Sequence, residues 1–135
     1  MNANEDVVRG MIVGSPLATL LGIVAETIER DRVRLRLPYR TEVTTIADTI
    51  HGGAIAALID VAATAGVWSG ADLSQSARGT TIGFSLNFLA AGRGEDLLAT
   101  AQVIQRGRSI CVCEVQVEGA DGKAVARALV TYKIG

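Results

Sequence analysis

Histidine is almost absent from this chain: His51 is the only one among 135 residues. Cysteine is nearly as scarce, limited to Cys111 and Cys113. In a strand, two residues at that spacing share a face and are badly placed to bond to each other, so reduced core thiols are expected. The alternative is a C-x-C metal pair, but one distant histidine supplies too few soft ligands, and no metal is expected. Reduced thiols point to a cytoplasmic setting. A basic excess is also missing. The formal net charge is −1, which removes the electrostatic footing for nucleic-acid binding. No G-x-S-x-G run occurs, and one histidine without a serine or cysteine at motif spacing argues against a catalytic triad. Despite 15 glycines there is no phosphate or dinucleotide loop, since Gly92-Arg93-Gly94 lacks a strand-to-helix context. Residues 1–10 carry Glu5, Asp6 and Arg9 and no apolar core, so no secretory leader is expected. Linkers, repeats and low-complexity stretches are absent too. What remains, 135 residues of which 49% are hydrophobic, fits one compact domain over 1–135.

The order of elements follows from periodicity and turn chemistry. Residues 4–12 read as a short amphipathic helix, and Ser15-Pro16 can cap a further turn through Leu21. Residues 22–29 and 31–37 read as strands. In the second, Arg32, Arg34 and Arg36 alternate with Val33, Leu35 and Leu37, which gives a solvated face or, alternatively, an anion-binding patch. A loop over 39–50 leads to a helix over 52–68, and a Gly/Ser/Asp-rich loop follows at 69–79. Strands are expected at 80–90, 95–106, 109–118 and 124–133. The turns at 92–94, 106–108 and 120–122 each hold a glycine for positive φ. One apolar helix cannot be buried by strands lying flat, so an α+β domain with a sheet curled around that helix is expected.

The chemistry concentrates in Ile50-His51-Gly52-Gly53 and the apolar run that follows, whose only charge is Asp60. Burying an unpaired carboxylate costs several kcal/mol or more, so an acid kept among Ala, Ile, Leu and Val serves a purpose. That purpose is structural hydrogen bonding or chemistry. His51 lies nine residues upstream of Asp60, and Gly52-Gly53 open the same helix. One short segment thus offers an acid, an imidazole and the unpaired N–H groups of a helix start. The run from Gly52 to Trp68 falls short of the roughly 20 residues of a membrane span and carries Asp60 at its middle.

The pattern resembles the hotdog-fold acyl-CoA thioesterases of the phenylacetate-degradation (PaaI-like) branch. The residues that carry the likeness are His51-Gly52-Gly53, Ala57-Leu58-Ile59-Asp60 and Thr81 through Asn87-Phe88-Leu89. Gly94-Glu95-Asp96-Leu97, Gly107-Arg108, Gly122-Lys123 and Thr131-Tyr132 extend it, so that it covers about residues 15–133. The resemblance implies a dimer whose sheets join edge to edge, often paired again into a tetramer, with active sites built from two subunits. It implies hydrolysis of a small or aromatic acyl-CoA, with coenzyme A entering as part of the substrate and no separate cofactor. Asp60 would be general base or nucleophile. The Gly52 N–H of the partner subunit would hold the oxyanion, and Thr81 would hold the acid or the attacking water. His51 would orient substrate or loop, or serve only the helix start. Thr45 stands where relatives commonly carry Asn or Gln, and its reach is shorter. Arg93, Arg106, Gly107, Arg108 and Ser109, with Gly83 on the Thr81 strand, would contact coenzyme A, turn solvation being the other reading of the arginines. A proline common after the Asn87 strand is also missing. The alternative functions are a non-catalytic acyl-CoA-binding hotdog domain and, fitting less well, a hotdog hydratase.

Overall fold

The computed structural model describes residues 2–75 and 78–135; residues 76 and 77 of the expected 69–79 loop lie outside them. The chain opens with α1 (Ala3–Val7), which runs on as a π-helical turn over Val8–Val13, and then α2 (Pro16–Leu21). Two strands follow, β1 (Val24–Glu29) and β2 (Arg32–Leu37), then a 3-10 turn (Thr41–Val43) and the central helix α3 (Gly52–Ser69). Four long strands complete the fold: β3 (Gly79–Phe88), β4 (Leu97–Arg106), β5 (Ile110–Glu118) and β6 (Ala124–Ile134). They form one antiparallel sheet in the order β1-β2-β4-β5-β6-β3. The sheet curls around α3, giving the α+β hotdog architecture.

Helix α3 is long and apolar enough to cross a membrane by length and composition, with mean hydropathy 1.4. It lies instead in the concavity of the sheet, against β2, β4, β5 and β6, with ten of its residues buried. Val33, Leu35 and Leu37 of β2 meet it from one side, and Val115, Val117, Val130 and Tyr132 from the other. The arginines of β2 point outward. Arg36 pairs with Glu26 and Asp96, and Arg34 with Glu118 at 3.9 Å, so this face is a charge-balanced exterior rather than an anion patch. Cys111 and Cys113 are free, buried and on the same inward face. Burial pushes the Cys113 thiol up to about 12, which leaves it inert.

Helix ends are satisfied differently from what local sequence suggests. Ser15 precedes α2, but its hydroxyl donates back to the Ile12 carbonyl at 2.7 Å, leaving Pro16 and the left-handed Gly22 (φ 77°) to bound the helix. The C-terminal end of α3 is capped from far away: Asn4 Nδ2 donates to Trp68 O at 2.9 Å and, just past the helix, to Ala71 O at 2.8 Å. That bond pair pins the N-terminal segment over the end of α3. Gly94 and Gly122 have the expected positive φ, but Gly107 does not; what it needs is proximity, because a Cβ there would lie 2.6 Å from the Ile110 carbonyl oxygen.

A second clamp holds the same end of α3. Asp31, in the β1–β2 turn with φ 64°, accepts from Arg106 Nη2 at 2.7 Å and Nε at 3.2 Å. Arg106 Nη2 also donates to the Val67 carbonyl at 2.8 Å, and Ser69 Oγ accepts from the Asp31 N–H at 2.9 Å. Gly70 leaves the room, since a Cβ there would collide with the Asp31 carboxylate. Arg106 reaches this position because a bulge between Val103 and Gln105 shifts the alternation of β4 by one residue. Leu97, Ala99, Ala101 and Val103 face inward, and beyond the bulge Arg106 does too, opposite Cys111. Bonds of this charged type contribute about 1.5–3 kcal/mol each. Arg106→Ala is expected to lower the urea midpoint by an equivalent of at least ~1.5 kcal/mol, with an unchanged m-value. An unmoved midpoint would show that the clamp contributes nothing.

Candidate active site

Asp60 sits midway along α3, half-buried, on the side facing β3. Thr81 Oγ1 donates to its Oδ1 at 2.6 Å, a short charge-assisted bond. Among the described residues its second oxygen, Oδ2, has no partner. The bond depends on a second bulge, between Thr81 and Gly83 in β3. Beyond it, Phe84, Leu86 and Phe88 stand opposite the inward Val130, Ala128 and Ala126; before it, Thr81 stands opposite the inward Tyr132. In an unbulged β3, Ile82 would take the place opposite Tyr132 and Thr81 would face the outer side of the sheet. Gly83 lies just past the bulge, exposed and opposite Thr131.

His51 is the N-cap of α3. Its Nδ1 accepts from the Gly53 N–H at 2.7 Å, which makes Nδ1 the unprotonated nitrogen. Gly52 is the first helical residue, and no acceptor for its N–H occurs among the described residues. The helix dipole adds partial positive charge at that N–H. A Cβ on Gly52 would come within 3.2 Å of Phe88 Cζ, so glycine is what allows close approach here. Gly52 opens onto a cleft of about 340 Å³, lined also by Thr45, Thr49, Ile55, Phe88 and Gly92.

The loop expected at 39–50 carries more structure than its composition suggests. Thr44 bridges Ile50, Thr45 N–H donates to Thr49 O at 2.9 Å, and Ala47 takes a left-handed φ of 52° between them. Thr49 bridges Arg93, and the Ile50 N–H donates to Gly92 O at 2.8 Å. Strand β3 ends at Phe88 rather than at residue 90, though the Leu89 and Ala90 N–H groups still donate to Val125 O at 2.8 and 3.3 Å, and residues 89–92 wall the cleft. Arg93 stands at its rim, donating from Nη1 to Thr49 Oγ1 at 2.9 Å, with Asp48 at 3.9 Å.

The proposed residues therefore fall into separate groups. Thr45, Gly52 and Arg93 meet at the N-terminal end of α3. Asp60 and Thr81 meet eight residues further on, about 12 Å along the helix axis at 1.5 Å per residue. Gly107, Arg108 and Ser109 form the β4–β5 turn, where the Ser109 carbonyl accepts from Ile134 N–H at 2.8 Å and Arg108 is exposed. Arg106, expected at a phosphate, is turned inward, and its donors are committed to Asp31 and Val67. Tyr132 was not foreseen as part of the site. It lies across from Thr81, and its hydroxyl accepts from Trp68 Nε1 at 2.9 Å. Burial, aided by the charge of Asp60, raises the Tyr132 pKa, although the Trp68 hydrogen bond opposes the shift. The closing Thr131-Tyr132 pair was the one available signal.

These contacts separate capping from chemistry at His51. Asn is a strong N-cap residue, so His51→Asn is expected to keep thermal stability, whereas His51→Ala loses about 0.5–2 kcal/mol. Equal melting temperatures for the two variants would contradict the capping role.

Residues 47–126 match the model of the thioesterase superfamily. A Halobacterium salinarum protein carrying a provisional esterase name is 34% identical over 104 residues, 75% of this chain and 68% of its own length. The medium/long-chain acyl-CoA thioesterase YigI of Escherichia coli is 31% identical over 98 residues, covering 64% of this chain and 63% of YigI. Among solved structures, a thioesterase family protein from Silicibacter pomeroyi superposes with a TM-score of 0.90 at 26% identity, covering 98% of both chains. With its family model spanning more than half the sequence, this chain belongs to the thioesterase superfamily, the hotdog-fold thioester hydrolases.

Proposed function

We propose that the protein hydrolyses an acyl-CoA thioester, releasing the free acid and coenzyme A, at a site completed by two subunits. The observation that carries this reading is the separation within one protomer. Asp60, with a free carboxylate oxygen, and Gly52, with an unpaired N–H, are too far apart along α3 to act on one carbonyl. Their relation to β3 supplies the remedy. Thr81, which holds Asp60, is near the start of that strand, and Phe88, which touches Gly52, is at its end. β3 is an edge strand exposing Ile82, Phe84 and Phe88, a liability that strand pairing removes. Antiparallel pairing of two β3 strands across a two-fold axis near Phe84 and Ser85 would set Thr81 and Asp60 of one chain beside Phe88 and Gly52 of the other.

At such a site the Asp60 carboxylate either takes a proton from water or bonds the acyl carbon directly. Both routes put negative charge on the thioester oxygen, where the Gly52 N–H is aimed; a preorganised donor of this kind contributes about 2.7–4 kcal/mol. Thr45 is placed to meet the carbonyl or water from the cleft wall. Arg93 is the phosphate contact that the cleft favours, with Arg108 and Ser109 brought from the opposite end of the partner subunit. A Streptococcus pneumoniae thioesterase that shares the fold, with a TM-score of 0.75 at 23% identity, was crystallised with coenzyme A. YigI acts on medium- and long-chain acyl-CoA, and both relatives support this substrate class here. The free buried thiols of Cys111 and Cys113 support a cytoplasmic setting. Family membership favours hydrolysis over the ligand-holding alternative.

Asp60→Asn is expected to fold and to lose turnover, because the amide keeps the size and removes the basic oxygen. Gly52→Val, which drives a side chain into Phe88, is expected to be inactive as well. Unfolded together and refolded, the two variants should recover about one quarter of wild-type activity if subunits mix randomly, because half the dimers carry one intact site of two. Heterodimers that form without regaining activity would contradict a site divided between subunits.

A further inference from the structure

Alongside Asp60 lies a cavity of about 820 Å³, lined by Val7, Met11, Ile12, Thr64, Trp68 and Tyr132 among others. Two of its residues flank the candidate catalytic acid: Thr64 is one turn beyond Asp60 on α3, and Tyr132 stands opposite Thr81 in the sheet. Asp60 itself is not in the lining, so the cavity begins about one helical turn beyond the candidate catalytic acid. Its volume falls in the range of pockets for drug-sized ligands, far more than an acetyl group requires. One wall is the N-terminal segment, residues 3–13. That wall is held by Asn4 at its outer end, through the carbonyls of Trp68 and Ala71, and by Val8, Ile12 and Val13 packed on the core. Between Val8 and Ile12, Met11 is 73% exposed, a flexible thioether side chain left over an apolar cavity. The segment is π-helical at this point, a geometry that recurs at functional sites.

We infer that the N-terminal segment is the size-setting wall of the acyl site, that Val7 and Met11 determine how large an acyl group is accepted, and that the group is a medium-chain or aryl acyl moiety. The inference rests on the hydrolase reading of Asp60, and it adds specificity residues that the motif around α3 does not contain. Filling the cavity must penalise large acyl groups more than small ones. Emptying it must do the reverse. Each methylene in an apolar pocket changes discrimination by about tenfold or more.

The test measures kcat/KM on butyryl-, octanoyl-, lauroyl- and phenylacetyl-CoA for wild type, Val7→Phe and Met11→Ala. Wild type is expected to prefer octanoyl- or phenylacetyl-CoA over butyryl-CoA. Val7→Phe should lower the octanoyl-to-butyryl ratio about tenfold, and Met11→Ala should raise the lauroyl-to-octanoyl ratio. In parallel, binding of the non-hydrolysable octyl-CoA thioether is followed by the emission of Trp68, the sole tryptophan, which lines the cavity. The preference for octyl-CoA over coenzyme A should fall about tenfold in Val7→Phe. Hydrolysis with the same chain-length profile in all three proteins would overturn the inference and leave the hydrolase reading standing. Absent hydrolysis with the binding preference shifted as stated would uphold this wall and overturn the hydrolase reading. Absence of both would overturn both.

Discussion

A helix that is apolar on every side has to be covered on every side, and α3 is such a helix. The sheet supplies most of the cover, with β2, β4, β5 and β6 laying Val, Leu, Ala and Cys side chains against it. The N-terminal segment covers the C-terminal end, tied down by Asn4, and the Asp31–Arg106 clamp closes the same end from the β1–β2 turn. What the chain leaves incomplete is the flank along β3. There Phe84 and Phe88 face the helix side yet stay 41% and 54% exposed. A second copy paired along β3 would cover these side chains, and the functional proposal builds on such edge pairing.

Asp60 is the one charge on this helix, and its position is tolerated because Thr81 meets it. The meeting requires an irregularity. A regular β3 would turn Thr81 outward, and the bulge at Ile82 turns it in. The same device in β4 turns Arg106 inward to Asp31. Two bulges thus decide which polar side chains reach the interior, one at the candidate catalytic acid and one at a structural clamp. Neither polar contact is local in sequence: Thr81 is 21 residues from Asp60, and Arg106 is 75 from Asp31.

That distinction explains what could be read from the sequence. The alternation of Arg32–Leu37, the glycine turns and the uniform apolarity of the helix are local, and they placed every long element within a few residues. The His51-Gly52-Gly53 run and Asp60 stood out for the same reason, because a lone charge in an apolar run is visible without partners. Strand order could not be read, since β3 joins β6 across the whole length of β4 and β5. Arg106 was expected at the 106–108 turn, and nothing near it in sequence announces the bulge that turns it inward to Asp31. Asn4 passed as an ordinary helix residue although it caps a helix 64 residues away. Tyr132 carried no signal beyond its closing position in β6.

The central claim is that one thioester carbonyl is held by two chains. A crystal structure with a ketone analogue of an acyl-CoA, in which CH2 replaces the reacting sulfur link, tests it most directly. The account predicts the analogue at the β3–β3 interface, its carbonyl oxygen about 3 Å from the Gly52 N–H of one subunit. Asp60 Oδ2 of the other subunit should face the carbonyl carbon, with the acyl group running toward Trp68. An analogue whose carbonyl meets Gly52 and Asp60 of the same chain, or meets neither, would contradict it.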